Sequence, residues 1–413
     1  YGAVDLLVVG RFGSTSGLSG VSTGSQVLNL VTFVVTQLAM GITVLIARYL
    51  GEKREDQIGS IIGGGTVVFA AISLVLFVIM VGFARPIAVL MQAPEEAVGL
   101  TVAYIRICGA GIFFIVAYNV LSAIFRGLGD SNSPLLFVFV ACIVNVVGDL
   151  VLVAGLGMDA MGAALATVFA QALSVVFAIV RLVKKGLPFT ITGYDFRWNP
   201  QCGKFLQIGL PLALQECLTQ GSFLALCAFV NRLGLEASSG YGVACKIVNF
   251  AMLIPSALMQ STSSFVSQNV GAGEQKRAKK TMFTGIGIGL LVGCFAFSLV
   301  FFRGDLLAGI FSADAAVVQR GYEYLKGFAP ETLLTAVLFS MMGYFNGNGK
   351  TVWVMLQGLI QTLLVRLPFA YYMSIQPDAS LTNIGLAAPI STAVGIVLNV
   401  AFFLYLEHAA KRS

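Results

Sequence analysis

The sequence predicts an all-α polytopic membrane protein: twelve transmembrane helices in two pseudo-symmetric six-helix lobes, a parallel repeat with its axis along the membrane normal. Three observations lead there. Hydrophobic residues make up 57% of the 413 residues and charged residues only 11%, with a mean hydropathy of +0.89, whereas soluble domains carry about 25% charged residues. Apolar runs of about 20 residues, enough to cross a hydrocarbon core of about 30 Å, recur along the whole chain. The two halves also repeat at an offset of 220: "VLN" at 27–29 against "IVN" at 247–249, Gly51 against Gly271, and "FRGLGD" at 125–130 against "FNGNGK" at 345–350.

Hydropathy and helix breakers place the spans at 1–10, 21–47, 60–82, 99–125, 134–155 and 161–181, then at 205–230, 237–268, 282–302, 318–345, 351–373 and 384–407. The first run is too short to cross alone and starts at Tyr1 without a Met, so further residues before it are expected. The stretch 184–204, "KKGLPFTITGYDFRWNPQCGK", is polar and turn-rich and reads as a cytoplasmic linker between lobes at 1–183 and 205–413. Alternate loops hold sixteen Lys and Arg against six in the others. By the positive-inside rule the richer set, which includes the C-terminus, is cytoplasmic. An even number of spans per half inserts both halves the same way, the arrangement that places a substrate cavity between two lobes and suits alternating access.

Several function classes fall away. The seven cysteines show no CxxC pair and the single histidine, His408, lies near the end of the chain, so neither a zinc site nor a disulfide framework is indicated. The basic pI of 8.9 is accounted for by loop charges, and no nucleic-acid partner is expected. HExxH is absent and no nucleotide-binding glycine loop precedes a helix, so the chain does not read as an enzyme, and no cofactor is expected. "IGGGT" at 62–66 opens an apolar span, where small residues serve helix packing.

Polar residues inside the spans carry the functional signal. Span 5 holds Asn145 and Asp149, four apart and so on one helical face. A mid-membrane aspartate costs about 2.5–3.5 kcal/mol on the insertion scale and normally faces a cavity, a partner or an ion. Counting from the outer edges of spans 1, 5 and 6, Asp5, Asp149 and Thr167 all lie about 8–9 Å deep at 1.5 Å per residue, with Asn145 one turn deeper. Two carboxylates, an amide and a hydroxyl at one level suit a coupling site. They can hold Na⁺, or share one proton between acids that resist ionising together. The competing reading is a hydrogen-bond cluster joining helices.

The second half is expected to bury its own charges, Glu216, Lys246, Glu331 and Arg366, with Asn249 one turn from Lys246 and Gln26 at the repeat position of Lys246. They read either as a static ion-pair network or as direct substrate contacts.

At these residues the sequence resembles the multidrug and toxic compound extrusion transporters, of the prokaryotic type. "VDLLVVGRFG" (4–13), "FRGLGDSNSP" (125–134), "GAALAT" (162–167), "GLPLALQ" (209–215) and "FVSQNVGAGEQKRAKK" (265–280) carry the likeness, which runs from Val4 to the last span. The resemblance implies a monomeric plasma-membrane antiporter that exports organic cations or other amphipathic compounds in exchange for Na⁺ or H⁺. Its partners would be a small amphipathic substrate and membrane lipids. It also implies coupling roles for a span 1 aspartate, an Asn-x-x-x-Asp pair in span 5 and a span 6 threonine, which fall on Asp5, Asn145, Asp149 and Thr167. Arg366 and Lys246 leave room for an anionic or zwitterionic substrate, and the alternative is a flippase for lipid-linked oligosaccharide or another anionic lipid-like molecule.

Overall fold

The computed structural model describes residues 2–91, 93–184, 190–312 and 314–412; Lys185 and the next four linker residues lie outside the described residues. Helices α1 (Gly2–Phe12), α2 (Thr15–Gly51) and α3 (Asp56–Phe77) open the chain, and α3 continues through a π-helical turn at Val78–Gly82 into the short α4 (Ala84–Leu90). Next come α5 (Glu95–Ala110), α6 (Ile112–Gly127), α7 (Asn132–Asp149) with a π-helical stretch at Leu150–Gly155, and α8 (Asp159–Lys184). The second series is α9 (Pro200–Asn231), α10 (Leu235–Gly271), α11 (Gln275–Phe311), α12 (Ala315–Phe328) and α13 (Glu331–Gly347). It ends with α14 (Thr351–Leu359), a π-helical stretch at Ile360–Arg366, α15 (Leu367–Ser374), α16 (Leu381–Gly385) and α17 (Ala387–Arg412).

Nine helices among the described residues are long and apolar enough to cross a membrane, and two bent pairs bring the number to eleven. The eleven-residue α1 corresponds to the shortened span 1, so each of the twelve expected spans has a helical counterpart.

Two spans read as single helices are broken. Span 4 bends by 53° between α5 and α6, and span 10 by 47° between α12 and α13. In span 10 the cause is Pro330, which has no N–H to donate and whose ring crowds the preceding turn. Glu331 follows it in the first turn of α13, where the positive end of the helix dipole favours a carboxylate. In span 4 the break falls at Gly111, where an added Cβ would run into Val168 of α8. At the repeat offset Gly111 corresponds to Glu331, so the two breaks are themselves related.

The repeat persists in the packing. A Cβ on Gly127 would meet Ile46 and the Thr43 carbonyl at 2.9 and 3.0 Å, and one on Gly347 would meet Val266 and the Ser263 carbonyl at 2.7 and 2.6 Å. All three positions of each contact shift together by 220. Close helix approach of this kind replaces the hydrophobic drive that is missing between helices in lipid. The loop after α2 carries Lys53 at φ 56°, and the loop after α10 carries Gly273 at φ 77°, so a lysine holds a left-handed turn that its repeat assigns to glycine.

The chain divides into two compact units between Ala213 and Leu214, inside α9 and just beyond Pro211. The linker and the first turns of α9 therefore pack with the first unit, whereas the sequence reading began the second lobe at 205. Backbone contact explains this: the Phe205 carbonyl sits where a side chain on Gly41 would be, and the Leu38 carbonyl where one on Gly209 would be. Tyr49 donates to Gln201 and accepts from Lys204, each at 2.9 Å, and Phe205 stacks on Phe69 with centroids 6.4 Å apart. The "IGGGT" glycines serve partly this linker: Gly63 faces the Asp195 backbone and Gly64 faces Asn199 and Cys202, while Gly65 packs on Ile42 of α2.

Two outcomes follow from this docking. Gly209→Ala is expected to destabilise by about 1–3 kcal/mol through overpacking. Gly203→Ala, in the same helix with open space around it, is expected to change little; thermal unfolding of the purified variants compares them. Asp195 anchors the linker by accepting from the Thr192 backbone N–H and hydroxyl and from Ser60, each at 2.8 Å. The Thr192 N–H, first among these, holds its carboxyl below the usual carboxylate range. A depressed value means the anchor is complete above the ordinary carboxylate pKa of about 3.9 and is lost as pH falls through the lower, folded value. Asp195→Asn is expected to speed proteolytic cleavage of the linker at neutral pH, with wild type resisting.

Candidate functional site

Three helices of the first unit bring the predicted site together. Asp5 projects from α1, Asn145 and Asp149 from the last turns of α7, and Thr167 from α8, and all four are buried. Thr167 Oγ1 donates to Asp5 Oδ2 at 3.0 Å, and Asn145 Nδ2 donates to Thr167 Oγ1 at 3.3 Å. The carboxyl groups of Asp5 and Asp149 lie within hydrogen-bonding reach of each other. The depth argument thus places together residues that are as much as 162 positions apart.

A fifth member was missed. Tyr104 of α5, 1% exposed, directs its hydroxyl at Asp5 Oδ2, 3.4 Å away. Its ring occupies the space left by the absent side chain of Gly24. The signal was there: span 4 begins near residue 99, so Tyr104 lies five residues inside, at the same level as the other four.

The cluster is rich in uncommitted acceptors. Asp5 Oδ1, Asn145 Oδ1 and both Asp149 oxygens are buried without a hydrogen-bond donor among the described residues, where most buried polar atoms are paired. No Lys or Arg among the described residues forms an ion pair with either acid. Oxygen donors alone, with negative charge and no fixed cation, are what a hard monovalent cation or a shared proton requires. Directly after Asp149 the α-helix gives way to the π-helical stretch at Leu150–Gly155, an irregularity frequent at functional sites.

Helix α1 is held at its outer end as well as at Asp5. The backbone N–H and hydroxyl of Ser14, in the turn after α1, both donate to Asp159 at the start of α8. Asp159 itself adopts φ 52°. The ends of α1 are therefore tied to the helix that carries Thr167.

The second-unit charges divide differently from the expectation. Glu331 and Arg366 are buried, at 4% and 8% exposure. Lys246 and Asn249 are exposed and Glu216 is only half-buried, so the expectation that all of these are buried is corrected. Hydropathy reports depth in the membrane and not helix face: Tyr241, Ala244, Ile247 and Val248 take the buried side of α10, which turns Lys246 and Asn249 outward. Gln26, their counterpart on α2, is exposed too. Glu216 accepts from Gln220 at 2.7 Å.

Glu331 and Arg366 form no direct ion pair among the described residues. Glu331 Oε1 accepts from Thr392 at 2.8 Å, Thr392 accepts from Gln361 at 3.0 Å, and Gln361 accepts from Gln357 at 2.6 Å. Arg366 donates to Ser391 at 3.3 Å and lies 5.7 Å from the Phe223 ring centroid. A chain of neutral polar groups thus surrounds the two charges.

A test of the first-unit geometry is Tyr104→Phe, which removes one donor to Asp5 and keeps the ring packed. One hydrogen bond is worth about 0.5–1.5 kcal/mol and a donor to a carboxylate favours its unloaded, charged form, so coupling-ion affinity is expected to rise by roughly 2–10-fold with little change in melting temperature. Ion titration of transport rate measures it.

Comparison with known proteins agrees with this layout. A family model described as MatE matches residues 1–151 and 211–372. The probable multidrug resistance protein YpnP of Bacillus subtilis (strain 168) is 24% identical over 372 residues, covering 90% of this chain and 83% of its own. The multidrug export protein MepA of Staphylococcus aureus (strain NCTC 8325 / PS 47) is 25% identical over 372 residues, covering 87% and 81%. Among solved structures, a multidrug resistance MATE family transporter of the MOP superfamily in its outward-facing conformation superposes with a TM-score of 0.93 at 20% identity, over 99% of this chain and 92% of that one. A MOP superfamily transporter from Pyrococcus furiosus Vc1 (DSM3638), described as having a binding pocket of reverse polarity, gives 0.92 at 21% identity over 100% and 92%.

Proposed function

The chain belongs to the MatE family of multidrug efflux transporters, and on that premise we propose that it exports organic cations or other amphipathic compounds in exchange for Na⁺ or H⁺ by alternating access. The observation that carries the coupling half of this reading is the Asp5–Asp149 pair: two buried acids in reach of each other, with oxygens that no donor satisfies. In this reading Asp5, Asn145, Asp149 and Thr167 form the coupling-ion site and Tyr104 positions Asp5.

The mechanism follows from charge. With the site unloaded, two carboxylates face each other away from water, and like charges in one site resist ionising together. A proton or Na⁺ entering from outside relieves that repulsion and draws α1 against α7 and α8. Loading changes transport only through its different affinity for the two arrangements of α1. The loaded arrangement is the one that releases substrate outward. The ion then leaves inward and the cycle repeats, with no covalent step.

A second reading has its own support. Buried Arg366, and Lys246 exposed on α10, favour an anionic or lipid-like substrate such as a lipid-linked oligosaccharide. The reverse pocket polarity described for the Pyrococcus furiosus protein makes this a variation to be tested within the fold.

Proteoliposomes separate the readings. Efflux of a fluorescent organic cation is driven first by an imposed Na⁺ gradient and then by an imposed pH gradient. Wild type is expected to respond to one of them and Asp149→Asn to fall to the protein-free background, while keeping its melting temperature. Undiminished gradient-driven efflux by the variant would sink the coupling assignment. No response of wild type to either gradient would move the assignment to the anionic substrate.

A further inference from the structure

The repeat also has consequences far from the charged cluster. In the first unit the groove between α2 and α3, at their linker end, is filled by the chain itself. Ser60 donates to Asp195 at 2.8 Å and its carbonyl accepts from Asn199 at 2.9 Å. Gln57 accepts from Gln201 at 2.9 Å, and Gly64 and Gly41 lie against Asn199 and Phe205. The occupant carries a carboxylate, Asp195, and an apolar ring, Phe205.

The same positions 220 residues later are Arg277 for Gln57, Lys280 for Ser60, Thr284 for Gly64 and Ser261 for Gly41. These four residues line an open cavity of about 480 Å³ between α10 and α11. Glycine has become hydroxyl, and two neutral groups have become cations. Both cations are exposed, and neither forms an ion pair among the described residues. Neighbouring Lys279, by contrast, is matched by Glu407 at 2.5 Å. The N-terminal turns of α11 that carry both cations add their own positive dipole end.

The cavity is graded along the helix axes. Asn269, Arg277 and Lys280 stand at the loop end, Thr262 and Thr284 a turn or two deeper, and Leu258 and Ile288 at the bottom. Leu258 lies about 16 Å below Asn269 at 1.5 Å per residue. Cations above, hydroxyls in the middle and an apolar floor reproduce the order of phosphate, glycerol ester and acyl chain in a phospholipid. Phe265 on the same wall is 56% exposed, and Ile288 49%, which leaves apolar surface for a chain to cover.

We propose that the groove between α10 and α11 binds an anionic phospholipid, with its phosphate between Arg277 and Lys280 and an acyl chain along Phe265, Leu258 and Ile288. Basic pockets between transmembrane helices suit such headgroups. The site is independent of the transported substrate.

The test uses the full chain in detergent, titrated with phosphatidylglycerol, phosphatidylcholine or sn-glycerol 3-phosphate, and read by native mass spectrometry and by melting temperature. Phosphatidylglycerol is expected to bind wild type and raise its melting temperature. Its affinity is expected to fall on the order of 10-fold in the Arg277→Gln/Lys280→Gln variant. Thr284→Phe, which fills the groove and keeps both cations, is expected to lose the same response, so the proposal stands or falls even if the double variant folds poorly. Equal phosphatidylglycerol binding by wild type and both variants overturns it. So does stabilisation by phosphatidylcholine or by chain-free glycerol phosphate that matches phosphatidylglycerol, since the first removes the need for charge and the second the need for a lipid.

Discussion

Two carboxyl groups that face each other inside a membrane, with no Lys or Arg paired to them among the described residues, set the terms for the rest of this structure. Either acid alone costs about 2.5–3.5 kcal/mol at the membrane centre, and together they repel when both are charged. The first unit assembles around that problem. Helices α1, α5, α7 and α8 each deliver one or two polar groups to the same level, through Asp5, Tyr104, Asn145, Asp149 and Thr167. The donors supplied are fewer than the oxygens present. The four oxygens left without a donor among the described residues suit the coupling role proposed above.

The second unit handles buried charge differently, although Glu331 Oε2 also lacks a donor among the described residues. Glu331 sits at the head of α13, just after the Pro330 break, where the helix dipole and Thr392 stabilise it. Arg366 closes a π-helical stretch and donates to Ser391. At the repeat offset Val365 and Phe369 stand where Asn145 and Asp149 stand, so the acidic pair has no copy. Duplication preserved the packing, seen in Gly127 and Gly347, and let the chemistry of the two bundles diverge.

What was legible in the sequence follows from what each signal measures. Hydropathy runs give the number and order of the spans, because a bilayer imposes a length on every one. Depth counting gathered Asp5, Asn145, Asp149 and Thr167 from three distant segments, because α-helical rise is nearly constant. The same count applies to Tyr104, which went unread because a tyrosine in an apolar run does not announce itself as an acid does. Helix face was the weak point: Lys246 and Asn249 lie at membrane depth but on the exposed side of α10. The place where the chain passes from one unit to the next was also hidden. It depends on backbone contacts at Gly41 and Gly209 and not on the polarity of the linker.

The central claim is that Asp5 and Asp149 act as one titrating unit that takes up a single positive charge. Infrared difference spectroscopy of the purified protein, stepped across pH with and without Na⁺, reads the carboxyl C=O band directly. The account predicts a protonated-carboxyl band that appears on acidification, or is displaced by Na⁺, and that is absent from Asp149→Asn. The same band at full strength in Asp149→Asn, or no carboxyl change in wild type on either pH or Na⁺ steps, would contradict it.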